Sequence, residues 1–133
     1  MRKASSAPFG HERYTRPYDK RVFDTLADTK LSVLHLHYLE RQYLDQFKGF
    51  NAPVIQYSVR TSGIPIADVR KQYSQPIAGG VDEIDFEKLT IPEMRTQWTE
   101  ARKEAGAKYI AAPGCFQIAR LRKNSRAFPA LSE

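Results

Sequence analysis

Apolar positions along this chain fall into short clusters separated by turn-forming residues, with one longer stretch at helical spacing. The run SVLHLH predicts a strand over residues 31–37, whose alternation puts Val33, His35 and His37 on one face. Leu39, Tyr43, Leu44 and Phe47 recur at helical spacing and predict a helix over residues 39–47. After the turn Asn51-Ala52-Pro53, the run VIQYS predicts a second strand over residues 54–58. A short helix over residues 66–72 is entered through Gly63 and Pro65, and a third strand over residues 75–79 runs into Gly80-Val81-Asp82-Glu83. The strongest element is a helix over residues 90–105. Thr90 and Glu93 form a capping-box pattern, Pro92 sits in the first turn and Gly106 stands just past the end. Met94, Trp98, Ala101 and Ala105 mark its buried stripe, and residues 109–112 form a fourth strand. Near the N-terminus, Val22, Phe23 and Leu26 offer a short helical face over residues 19–26, whereas residues 1–17 show no periodicity and are expected to lack regular structure.

Strands alternating with helices through short loops, without a hairpin signal, imply parallel strands joined by right-handed crossovers. The expected class is α/β, as part of a (β/α)8 barrel. Four strands are about half of the eight that close such a barrel. An open half leaves unpaired strand edges and an uncovered apolar interior.

Composition narrows the picture without redirecting it. The chain has 133 residues, 41% of them hydrophobic and 27% charged, as in an ordinary globular domain. No apolar run approaches the roughly 20 residues of a membrane span, and the N-terminus lacks the apolar core of a secretory signal. The single cysteine excludes an internal disulfide and fits a reducing cytoplasm. The net charge of +6 is concentrated at the ends: residues 1–22 carry +4, residues 116–133 carry +3, and residues 23–115 carry −1. Basic ends bind polyanions without a fold, or are ordinary termini. No nucleic-acid-binding motif accompanies them, so no specific nucleic-acid partner is expected. Neither a GxGxxG or P-loop pattern nor a Gly-x-Ser-x-Gly elbow is present.

The residues best suited to chemistry are His35, His37 and Cys115. Functional side chains of parallel barrels gather at the carboxyl ends of strands, where His37 and Cys115 are both expected. Two imidazoles at i and i+2 point to one face, and a thiolate from a distant strand makes a third ligand, leaving an open position as catalytic zinc sites do. The alternative is a pair of hydrogen-bonded histidines with a small apolar cysteine. Arg60 has the planar fork that suits a substrate carboxylate, or else forms a structural ion pair. Asp82 lines a pocket mouth or caps its own turn.

The segments SxRTSGIPxAxxR, QPIxGGVDE and AGAKYIxxPGC resemble the C-terminal half of the uroporphyrinogen decarboxylase superfamily, from about Tyr18 to Cys115. The resemblance implies a domain over residues 18–115, a basic N-terminus over 1–17 and a divergent basic tail over 116–133, for which a frameshift origin is one reading. In the decarboxylase branch it implies a carboxy-lyase of tetrapyrrole metabolism that needs no cofactor and takes a porphyrinogen as its small-molecule substrate. Cys115 then stands where that branch has a histidine, and GGVDE matches a turn that places Asp82 at the pocket mouth. In the branch of cobamide-dependent methyltransferases it implies zinc and a methyl-corrinoid substrate. His35 and Cys115 match the first and last of that branch's zinc ligands, and His37 replaces the middle cysteine. The family's essential Asp and its carboxylate-binding Arg residues come from the N-terminal half of the barrel. The matching region lacks them, so the fragment is expected to be inactive alone, or to need a second chain that completes the barrel.

Overall fold

Strand β1 (Val33–Leu36) pairs with β2 (Val54–Tyr57), β2 with β3 (Ile77–Val81), and β3 with β4 (Tyr109–Pro113), every pair parallel and in chain order. This computed structural model describes residues 11–37 and 45–115. The α/β class and the half-barrel arrangement of parallel strands are therefore as expected. Residues 1–10, most of the helix expected over 39–47, and the tail over 116–133 lie outside the described residues. Of that helix, residues 45–47 form a single tight turn.

Helix α1 (Arg16–Thr25) follows a wide helical turn, His11–Thr15, so helical structure begins inside the stretch expected to be irregular. Long-range contacts that a local reading cannot see hold it there. Arg16 donates from Nε to the Gln46 carbonyl at 2.8 Å and from Nη2 to the Lys48 carbonyl at 2.6 Å. Phe23 meets Phe50 edge to face, with ring centroids 5.6 Å apart. Two short helices, α2 (Val59–Ser62) and α3 (Ile66–Arg70), join β2 to β3. Helix α4 (Ile91–Ala105) returns the chain to β4, and its Thr90–Glu93 capping box forms as expected.

One face of the sheet presents Leu34, Leu36, Ile55, Tyr57 and Ile77 to α3 and α4, where Ile64, Ile66, Val69, Ala101 and Ala105 complete the core. A second cluster joins Val81, Phe86 and Met94, with Trp98 partly buried against it. The buried Tyr57 hydroxyl donates to the Ile64 carbonyl at 2.9 Å, and burial, reinforced by the negative charges of Glu104 and Asp68, pushes its pKa far above the ordinary value. Strand β3 extends two residues further than expected because it holds Gly79 and Gly80, with φ of 146° and 101°. A Cβ at Gly80 would lie 2.4 Å from Cβ of Ala101 and 2.8 Å from the Tyr109 hydroxyl, so glycine there lets α4 and β4 close on the strand.

The opposite face carries His35, Gln56, Ala78 and Ile110 in one register row. Val33 and Ile110 on that side are 41% and 44% exposed. Among the described residues, β1 and β4 each pair along one edge only. No described helix is long and apolar enough to cross a membrane.

Candidate metal centre

The alternation of β1 sends Leu34 and Leu36 into the core and turns His35 and His37 to the other, exposed face. Cys115 lies two residues past β4. These are the outer strands of the sheet, three strand spacings apart, which is roughly 14 Å in a flat sheet. Nevertheless Cys115 Sγ stands 3.2 Å from His37 Nδ1 and 3.4 Å from His35 Nε2. The loop that follows β4 and the reach of the two imidazoles span that gap. The three residues expected to act together are thus brought together on the face opposite the core.

The candidate ligand atoms all lie within 4.8 Å of one another. In a tetrahedral zinc site, bond lengths of about 2.3 Å to sulfur and about 2.0–2.1 Å to nitrogen separate neighbouring ligand atoms by about 3.3–3.6 Å. The two sulfur–nitrogen distances come close to that range. Two imidazoles and a thiolate also suit zinc in kind, and three protein ligands leave a fourth position open. The same distances allow S–H···N hydrogen bonds, which metal titration distinguishes from ligation.

Three features missed by sequence reasoning lie at the loop that carries Cys115. Gln56, on the same face as His35, donates from Nε2 to the Pro113 carbonyl at 3.2 Å. Gly114 occupies a buried slot: a Cβ there would lie 2.5 Å from Cα of Ser58 and 2.6 Å from Oε2 of Glu83. Glu83 is 3% exposed, and its Oε1 accepts from the Thr61 hydroxyl at 2.8 Å. Its Oε2 is buried without a hydrogen-bond partner among the described residues. The only available signal was the GGVDE turn, in which Asp82 drew attention before its neighbour.

Arg60 and Asp82 lie outside the histidine–cysteine group. Arg60 donates from Nε to the Gly80 carbonyl at 3.0 Å, and from Nη2 to the Gln97 carbonyl at 3.1 Å and to Glu100 at 2.8 Å. These contacts draw the guanidinium toward α4 and form the ion pair weighed as its structural role. Asp82 Oδ1 accepts from the backbone N–H groups of Ile84 and Asp85 at 2.8 and 3.0 Å, so it caps its own turn.

No protein-family model matches the sequence, and no curated protein matches it. Among solved structures, the chain is similar to a methyltransferase from Methanosarcina mazei, with a TM-score of 0.73 and 13% identity. The match covers 93% of this chain and 36% of that one, so this chain spans about a third of its neighbour's length. At that identity the likeness is one of fold. It shows a shared α/β fold with four parallel strands and does not extend to an activity or to a uroporphyrinogen decarboxylase assignment.

Proposed function

We propose that His35, His37 and Cys115 bind zinc, and that the chain is the metal-bearing half of a methyltransferase-like barrel. The observation that carries this reading is the convergence of two imidazoles and the only cysteine from opposite edges of the sheet, with sulfur–nitrogen distances of 3.2 and 3.4 Å. Zinc bound there supplies a Lewis acid with one open position that lowers the pKa of a coordinating thiol or water. The chain's own contribution is placement. Strand β1 presents His35 Nε2 and His37 Nδ1 toward one point. Gln56 and the Gly114 slot fix the loop that brings Cys115 to that point. The sheet face beside the cluster, with Gln56 and Ile110, is where a small-molecule substrate such as a methyl-corrinoid would lie.

A decarboxylase needs none of this, because its implied reaction uses no cofactor. Measuring zinc in the purified chain therefore separates the two branches. One ion per chain, lost in both His35→Ala and Cys115→Ala, supports the methyl-transfer reading; a metal-free wild-type chain removes it.

The open edges of β1 and β4, with exposed Val33 and Ile110 between them, favour completion of the barrel by a second chain. Light scattering tests this: a stable, soluble monomer with a cooperative unfolding transition contradicts it.

A further inference from the structure

Glu83 combines features that packing alone does not explain. Its side chain is nearly inaccessible, one carboxyl oxygen is satisfied only by the Thr61 hydroxyl, and the other has no hydrogen-bond partner among the described residues. Ion pairs among those residues include Lys20 with Asp24, Lys48 with Asp45, Arg60 with Glu100, Lys71 with Asp68 and Lys88 with Asp85. None of them supplies Glu83 with a cation. Burying a carboxyl group in this way opposes folding, and buried polar groups left without partners call for an explanation from function.

The position of the group supplies one. The partnerless Oε2 lies against Gly114, at 2.6 Å from where a Cβ would stand, and Cys115 is the next residue. The carboxyl therefore underlies the backbone that carries the thiol. A divalent ion held by two neutral imidazoles and one thiolate keeps a net charge of about +1. A buried carboxylate under the same loop compensates that charge, and no described cation competes for it. Glu83 is not a member of the group of ligand atoms itself. We infer that Glu83 is a positioning residue of the metal centre: its buried negative charge strengthens metal binding at His35, His37 and Cys115 from beneath the Cys115 loop, without ligating the ion.

This inference rests on the metal-binding reading, and one set of titrations separates the two. Cobalt(II) is titrated into the full chain and into its Glu83→Gln and Glu83→Asp variants. The thiolate-to-cobalt charge-transfer band gives the spectrum, and competition with a chelator gives the affinity. Glu83→Gln keeps the shape and removes the charge; Glu83→Asp keeps the charge and shortens the side chain. The expected result is a loss of roughly 10–100-fold in affinity for Glu83→Gln, with Glu83→Asp closer to wild type. The metal-free Glu83→Gln chain is expected to fold with stability close to wild type, since the replacement keeps the shape and the hydrogen bond from the Thr61 hydroxyl. A purely structural role predicts the reverse order, with Gln tolerated and Asp not. Equal affinity and spectrum in wild type and Glu83→Gln overturn the inference while leaving the metal site intact. A Glu83→Gln chain that does not fold also overturns it. A wild-type chain that takes up no cobalt overturns the metal reading, and the inference with it.

Discussion

Replacing Gly114 by alanine tests how the cysteine is held in place. The added Cβ would meet Cα of Ser58 at 2.5 Å and Oε2 of Glu83 at 2.6 Å. Carbon atoms pack at about 3.5–4.0 Å, so the overlap with Ser58 is about 1 Å or more. The Ser58 contact is backbone, which cannot swing aside as a side chain would. Gly114 has no positive φ, so alanine faces no conformational penalty and gains a little from a less flexible unfolded chain, about 0.4–1 kcal/mol. Overpacking of this kind costs about 1–3 kcal/mol, and the net effect is a destabilisation of about 1–2 kcal/mol. For a domain of this size that lowers Tm by roughly 4–7 °C. The strain is relieved by moving the loop, which carries Cys115 out of position and weakens metal binding by roughly 10-fold or more. Gly106→Ala is the control, because its Cβ meets nothing within 4 Å and only its φ of 72° opposes the change. That variant is expected to lose stability and keep full metal affinity. Thermal unfolding of the metal-free chains and zinc competition measure the two effects. A Gly114→Ala chain with unchanged Tm and unchanged zinc affinity would refute the slot and the positioning role assigned to it.

Three further outcomes are expected from other parts of the structure. Saturating zinc at about 100 times its Kd is expected to stabilise the chain by about 2.7 kcal/mol, seen as a rise in Tm that a chelator reverses and Cys115→Ala abolishes. Thr90→Ala breaks the capping box of α4 and is expected to cost about 1 kcal/mol in chemical unfolding, with no change in zinc content. At alkaline pH the buried phenols matter: burial pushes Tyr73 up to about 12 and raises Tyr57 and Tyr109 further. The unfolded chain loses these protons near pH 10 and the folded chain does so only above it, so this contribution is complete below about pH 10 and declines as pH rises beyond it. Urea midpoints at pH 8, 9.5 and 10.5, with phenolate absorbance appearing together with unfolding, check the sign.

Local grammar made most of this fold readable. Helix α4 announces itself at both ends through Thr90, Glu93, Pro92 and Gly106, and Met94, Ala101 and Ala105 are buried as their spacing requires. The strands follow from apolar runs bounded by turns, and their parallel order from the helices between them. The early start of helical structure at His11 was not readable, because Arg16 reaches residues more than 25 positions away. Helix α2 was hidden by its length of four residues. In β3 the pair Gly79 and Gly80 looked like the end of a strand, yet they extend it by admitting Ala101 and Tyr109.

The site divides along the same line. His35 and His37 share a face by strand periodicity, so their common placement was legible. The approach of Cys115 is a relation between residues 78 and 80 positions apart, set by the assembled sheet rather than by any segment. Gln56, Gly114 and Glu83 act through contacts 22 to 57 positions apart or through the space around a missing Cβ. Sequence spacing says nothing about such relations. For Arg60 and Asp82 residue type left a substrate contact and a structural role both open, and the geometry shows an ion pair for one and a turn cap for the other.

The most direct test of the central claim is X-ray absorption at the zinc edge on the zinc-loaded chain. One sulfur neighbour at about 2.3 Å and nitrogen neighbours at about 2.0–2.1 Å are expected, with the sulfur signal lost in Cys115→Ala. A zinc shell made only of light atoms in the wild-type chain, or a sulfur signal that survives in Cys115→Ala, would contradict that claim.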